Sequence, residues 1–127
     1  MKEQIQSRTK KMALEVIQLS EYLPNKSVGW TFSNQIIRSA TSVAANYRAV
    51  CRAKSDKDFI SKMETVIEEA DETLFWLEMI EDSGVLNEDF GLQNLKIETN
   101  ELISIFVASV KTVKHRLNQK PSIPNLK

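Results

Sequence analysis

The 127-residue sequence is poor in glycine, proline, cysteine and histidine. Its three glycines stand apart, so there is no glycine-rich phosphate loop and no visible machinery for nucleotide hydrolysis. A single cysteine, Cys51, excludes an intramolecular disulfide, and residues 1–6 lack the apolar core of a secretory signal. No apolar run approaches the length of about 18 residues that a membrane span needs. We therefore expect a soluble, cytoplasmic protein of one domain that binds no membrane.

Side chains for catalysis or metal binding are equally scarce. The one histidine is His115, and Thr112 stands three residues before it, so the Glu-x-x-His pairs of di-metal helical bundles are absent. No arginine stands four to six residues before His115, which removes one known pattern of helical ribonucleases. We expect no metal, no cofactor and no catalytic residues, and hence a non-enzymatic protein.

Apolar residues recur at alternating spacings of three and four in four stretches of the chain. Such spacing places each set on one stripe of a helix. The four stripes are Ile5, Thr9, Met12, Val16, Leu19, Leu23; Ile36, Ala40, Val43, Tyr47, Val50; Phe59, Met63, Val66, Ala70, Leu74, Leu77; and Leu92, Leu95, Thr99, Leu102, Phe106, Val110, Val113, Leu117. Four amphipathic helices joined by short connections predict an all-α protein, an antiparallel up-down-up-down four-helix bundle.

Punctuating residues predict the first boundaries. Pro24 ends the first helix near Leu23, because proline cannot continue a helix and disfavours helical geometry in the residue before it. The second helix is predicted to begin between residues 31 and 34 and to run to about Ala53. The third starts at Ser55, whose hydroxyl can cap it.

The second half of the chain has similar signals. Gly84 supplies the left-handed residue that closes a helix, and residues 87–89 provide a cap and two acids for the start of the fourth. The fourth helix is predicted to continue to about Gln119. The bundle domain then covers residues 1–120, and residues 121–127 form a mobile C-terminal tail.

The formal net charge is zero, but the charges are unevenly distributed. Residues 1–62 hold eleven basic and five acidic residues, whereas residues 63–127 hold six and twelve. Residues 111–127 contain five bases and no acid. The distribution fits either an acidic helix that lies beside a basic one or a basic surface that binds a partner.

The predicted second helix carries arginines on the face opposite its apolar stripe. The residues of that face are Arg38, Thr41, Ala45, Arg48 and Arg52. One interpretation pairs Arg38 or Arg48 with carboxylates of the third helix, between helices or between subunits. The candidate partners are Glu68, Glu69 and Glu72. The other interpretation assigns these arginines to phosphate binding.

Three segments of the chain form a recognisable pattern: Arg-Ser-Ala-Thr-Ser-Val-Ala-Ala-Asn at 38–46, Ser-Asp-Lys-Asp-Phe at 55–59 and Glu-Glu-Ala-Asp-Glu-Thr-Leu-Phe-Trp-Leu-Glu at 68–78. Together they resemble a known family, the bacterial "four helix bundle protein" family. The family was first noticed as an open reading frame in intervening sequences of large ribosomal RNA genes. It is related to the accessory variability determinant of diversity-generating retroelements, and the likeness covers about residues 1–118.

The resemblance implies an up-down-up-down bundle that assembles into a ring of five and has no established catalytic activity. The retroelement relatives bind nucleic acid and a reverse transcriptase through a strongly basic ring, whereas this chain has no net charge. The positions that carry over are Arg38, Asn46, Arg48, Ser55 and Asp58, the last two as capping residues.

Two functions are therefore expected as alternatives. In the first, an oligomeric scaffold binds RNA, DNA or a nucleic-acid enzyme through basic faces, with candidate residues Arg38, Asn46, Arg48, Arg52 and Lys54, or through the basic end of the fourth helix. In the second, the protein is a structural or protein-interaction module without affinity for nucleic acid. Exposed apolar residues would then supply the contacts, with Ile37, Phe75, Trp76, Met79, Ile97 and Ile105 as candidates.

Overall fold

A computed structural model describes residues 1–119 of the chain. They form four helices, α1 (Lys2–Ser20), α2 (Ser27–Val50), α3 (Asp56–Ser83) and α4 (Leu92–Asn118). Each helix packs against its neighbour in sequence, and α1 also packs against α4, so the four close into a bundle. This confirms the predicted all-α, up-down-up-down four-helix bundle. The predicted tail at 121–127 lies outside the described residues.

The predicted stripes form the core, with a few corrections. All five predicted residues of α2 are buried, whereas Leu23, Phe59, Leu74 and Leu117 are only partly buried. Thr73 rather than Leu74 occupies the core position of α3. Among the buried apolar residues, three stand outside the predicted stripes because they prolong these faces toward helix ends or flanks: Ala13, Phe32 and Ile80.

Each helix contributes one fully buried hydroxyl to the core: Thr9, Ser39, Thr73 and Thr99. Thr73 bonds Ser39 across the α2–α3 contact, and Thr9 donates to the Gln6 carbonyl within its own helix. Among the described residues, the Thr99 hydroxyl has no hydrogen-bond partner in the protein.

Two predicted helix starts are wrong and two other boundary features are confirmed. Helix α2 begins at Ser27, several residues before the predicted start, because Gly29 lets its first turn lie directly against the Pro24 carbonyl. Helix α4 begins at Leu92 and not near 87. Ser55 caps α3 by accepting a hydrogen bond of 3.0 Å from the Asp58 amide, and Gly84 ends α3 with φ of 70°.

The late start of α4 has a local cause. The Asp89 carboxylate accepts hydrogen bonds from the backbone amides of Gly91 and Gln93, at 3.0 and 3.2 Å. It therefore satisfies the amide of the N-cap residue Gly91 and the amide of Gln93 in the first turn of α4. The residue between, Phe90, has φ of 50°, so the chain cannot be helical there.

Candidate nucleic-acid interface

The start of α1, the α2–α3 loop and the end of α4 meet at one end of the bundle, which we call the basic end. Lys2, Lys54 and Arg116 come from these three places and line one open depression, together with Cys51 and Asp56. This arrangement follows from antiparallel packing, which places the starts of α1 and α3 beside the ends of α2 and α4. It joins two surfaces that are far apart in the sequence, the Arg48–Lys54 region and the end of α4.

The charges divide between the two ends of the bundle. The helix halves and loop nearest the basic end, residues 1–10, 39–69 and 106–119, contain eleven basic and six acidic residues. The remainder, residues 11–38 and 70–105, contains four basic and eleven acidic residues. A protein of zero net charge thus has a strong charge asymmetry along its long axis, which can orient it toward a charged partner.

Arg48 and Arg52 are exposed at this end. Arg48 lies in the last turn of α2, where a cation interacts favourably with the helix dipole, and Arg52 follows in the turn beyond. Within residues 1–119 neither side chain forms an ion pair. Both guanidinium groups are therefore available for phosphate.

Two other candidate residues for this surface, Lys54 and Asn46, differ in their exposure and contacts. Lys54 is exposed, and its backbone amide donates a 3.0 Å hydrogen bond to the Asp58 carboxylate. Asn46 is partly buried and uses its amide group within α2, donating to the Ser42 carbonyl at 2.8 Å and to the Ser42 hydroxyl at 2.9 Å. Asn46 is thus tied to its own helix and is not part of the basic end's charged surface.

Arg38 lies away from the basic end, halfway along α2. Its guanidinium forms ion pairs with Glu69, at 3.2 Å, and with Glu72. The Trp76 indole also donates to Glu72, at 3.1 Å. The hydrogen bond from Arg38 lowers the pKa of Glu72 below its ordinary value of 4.5, and the hydrogen bond from Trp76 makes a smaller contribution in the same direction. The contact between helices that the sequence predicted for Arg38 is therefore present within one chain.

The third predicted acid, Glu68, is exposed, and in the described part of the chain it has no ion-pair partner. Of the carboxylates proposed as partners of the α2 arginines, the structure thus places two against Arg38 and none against Arg48. This difference separates the arginines into one that fixes the α2–α3 contact and two that face solvent.

Two acids partly neutralise the basic end. Arg116 donates to the Asp56 carboxylate, at 3.0 Å to Oδ1 and 3.4 Å to Oδ2, and Lys114 lies 3.6 Å from Glu64. These contacts join the start of α3 to the end of α4. Lys2 was not among the predicted site residues, although antiparallel helix order alone would have placed the start of α1 beside the α2–α3 loop.

Among residues 1–119, no three His, Cys, Asp or Glu side chains are grouped as they would be to hold a metal ion. No helix in the same range is both long and apolar enough to cross a bilayer.

Comparison with known proteins places the chain in a family. A sequence profile described as "23S rRNA-intervening sequence protein" matches residues 1–108. The chain belongs to this family. The match includes α1, α2, α3 and residues 92–108 of α4. It therefore contains the candidate arginines of α2, Asn46, Lys54 and the candidate carboxylates of α3.

A solved structure has the same fold. It is a protein of unknown function from the S23 ribosomal protein family of Bacteroides thetaiotaomicron VPI-5482, with a TM-score of 0.75 and 27% sequence identity. The similarity covers 84% of this chain and 98% of that one. No curated protein matches the sequence.

Proposed function

We propose that this protein is a non-enzymatic, pentameric scaffold that binds RNA or DNA through its basic end. The observation that carries the proposal is the location of Arg48, Arg52 and Lys54 at the same end of the bundle as Lys2 and the end of α4. Phosphate recognition needs exposed cations without internal partners, and Arg48 and Arg52 meet that requirement. The family's description names a 23S rRNA intervening sequence, which makes RNA the first ligand to test.

Assembly is what gives this modest surface sufficient charge. One basic end has eleven basic and six acidic residues, whereas a ring that aligns five such ends would produce a continuous positive face. The proposed number of five subunits rests on the family resemblance. Exposed apolar side chains on the outward surface of α3 support self-association, with Phe75 48% and Met79 38% exposed.

The test is a fluorescence anisotropy titration with a labelled RNA hairpin and a labelled DNA duplex at several salt concentrations. Affinity should fall steeply with salt, because bound cations release counterions from the nucleic acid. Arg48→Glu together with Arg52→Glu should remove binding, while the circular dichroism spectrum stays unchanged.

A matched control separates the basic end from overall charge. Lys26→Glu makes the same change of charge as Arg48→Glu, at an exposed lysine of the opposite end. The proposal requires Arg48→Glu to weaken binding and Lys26→Glu to leave it nearly unchanged. Equal losses, or binding that is indifferent to salt, would reject the basic end as the binding surface.

A protein-interaction module is the second candidate. It is favoured by the exposed apolar residues outside the core, among them Ile97, which is 65% exposed on α4. Of the other predicted contact residues, Ile37, Trp76 and Ile105 pack partly against the core and offer less surface. This function predicts a stable oligomer without affinity for either nucleic acid at low salt.

A further inference from the structure

The contact between α1 and α4 is the least extensive of the four helix contacts that close the bundle. Two open depressions lie end to end along it, and both are bordered by Glu15 of α1 and Asn94 of α4. We call them the Arg8 depression and the Tyr22 depression, after a residue that lines each one. The second has a volume of about 490 Å³.

An arginine already bridges the two helices in the Arg8 depression. Arg8 Nε donates to Glu98 Oε2 at 2.9 Å and Nη2 donates to Glu98 Oε1 at 2.7 Å. Nη2 also reaches Glu101 at 2.5 Å. A planar guanidinium, which presents several donors in a fixed geometry, is thus the group that joins α1 to α4 at this level.

Seven residues further along α1, Glu15 lies on the same side of the helix and borders the Tyr22 depression. It is half-buried, yet among residues 1–119 it has no ion-pair partner. Apolar side chains of Leu19 and Leu95 line the same depression. A partly desolvated carboxylate beside apolar surface is complementary to a cation that carries an aliphatic stem.

An aromatic pair completes the lining. The rings of Tyr22 and Phe90 stack with centroids 3.9 Å apart and an angle of 9° between their planes. Phe90 covers one face of the Tyr22 ring, and Tyr22 is nevertheless 55% exposed. An exposed aromatic face in the same depression as a carboxylate suits a guanidinium better than an ammonium, since a guanidinium can stack while its edge donates hydrogen bonds.

We propose that the Tyr22 depression binds an arginine side chain of a partner protein, with the guanidinium paired to Glu15 and stacked on Tyr22. The surroundings have the complementary charge, because this end of the bundle holds most of the acidic residues of the chain. The depression lies at the opposite end from Arg48 and Arg52. The inference therefore goes beyond nucleic-acid binding and does not depend on it.

The probe is a pair of labelled ten-residue peptides, one with alternating arginine and alanine and one with lysine in place of arginine, titrated against the full chain by anisotropy. The arginine peptide should bind about two- to fivefold more tightly than the lysine peptide, which is the margin that stacking provides. Glu15→Gln should weaken the arginine peptide at least about tenfold, because it removes a charge-assisted hydrogen bond. Tyr22→Leu should abolish the preference for arginine, and Tyr22→Phe should keep it.

Glu88→Gln is the matched control, since Glu88 is an exposed acid of the same end that does not line the depression. It should leave both affinities nearly unchanged. Equal weakening by Glu88→Gln and Glu15→Gln would overturn the proposal, as would the absence of peptide binding. Light scattering of Glu15→Gln without peptide covers the remaining outcome: an altered mass would assign the depression to a contact between copies and would also overturn it.

Discussion

The hydroxyl of Thr73 on α3 donates a 2.9 Å hydrogen bond to the hydroxyl of Ser39 on α2, in the fully buried interior of the bundle. The Glu69 carbonyl oxygen also lies 2.9 Å from the Thr73 hydroxyl oxygen, so the single hydroxyl proton is shared between two acceptors. The buried hydroxyl of Thr99 on α4 has no such partner among the described residues. The two threonines have the same chemistry and burial but different hydrogen bonding.

Replacing each threonine by valine tests this difference, since valine keeps the shape and removes the hydroxyl. Thr73→Val should lower the free energy of unfolding by about 0.5–1.5 kcal/mol, the usual net value of a lost hydrogen bond. Thr99→Val should leave it unchanged or raise it, because it removes a buried polar atom without a partner. Urea unfolding measures both. Equal destabilisation by the two variants would contradict the assignment.

The pairing of Arg38 with Glu72 makes stability depend on pH. The pKa of Glu72 lies below its ordinary value of 4.5 in the folded chain, so the pair stabilises the fold above that pH and its contribution is lost as pH falls through the lowered pKa. Arg38→Gln should cost less than about 1 kcal/mol near neutral pH, since the pair is partly exposed. The cost should disappear in acid.

Thermal unfolding at several pH values measures that difference. Arg48→Gln is the control, because Arg48 is an exposed arginine of the same helix without an ion pair in the described chain. A deficit of Arg38→Gln that persisted unchanged into strong acid would show that the guanidinium acts by packing alone.

Tyr47 should limit stability in alkali. Burial raises the pKa of its hydroxyl from 10.0 to about 12, and a smaller contribution comes from Cys51. The folded chain holds this proton more tightly than the unfolded chain, so stability present below pH 10 is lost as pH rises toward about 12. Tyr47→Phe should reduce that loss in denaturant titrations, whereas Tyr22→Phe, at an exposed tyrosine, should not.

Gly29 permits a close approach between α2 and the loop that joins α1 to α2. A Cβ atom at this position would stand 1.8 Å from the Pro24 carbonyl oxygen, so alanine requires the backbone to move. Gly29→Ala should lower the free energy of unfolding by about 1–3 kcal/mol, although alanine is the better helix former. Asn34→Ala, at an exposed position of the same helix, should not destabilise. A Gly29→Ala variant as stable as the parent would contradict the predicted clash.

The sequence predicts the bundle because burial follows helical periodicity, and that periodicity is visible without coordinates. It does not predict the start of α2, since nothing local reveals that Gly29 lies against the Pro24 carbonyl. It also favours Leu74 over Thr73 for the core on hydrophobicity. The hydrogen bond to Ser39, which makes burial of Thr73 favourable, is a contact between helices that spacing cannot show.

The candidate site was predictable only in part. The exposed face of α2 follows from spacing, and spacing also places its arginines together on that face. The sequence does not show that Arg38, and not Arg48, pairs with Glu69 and Glu72. Which arginine faces these carboxylates depends on how far α2 and α3 are shifted along their axes relative to each other. The sequence does not predict the Tyr22 depression. Tyr22 and Phe90, which stack in its lining, are almost 70 positions apart in the chain.

The measurement that tests the proposed scaffold most directly is the mass of the purified protein by light scattering, at low and high salt, with and without an RNA hairpin. We predict five times the chain mass of 14.5 kDa without RNA, a larger mass with RNA at low salt, and a return to the protein's own mass at high salt. Arg48→Glu with Arg52→Glu should keep the oligomer and lose the increase. A monomer, or an oligomer whose mass never responds to RNA, would contradict the proposed function.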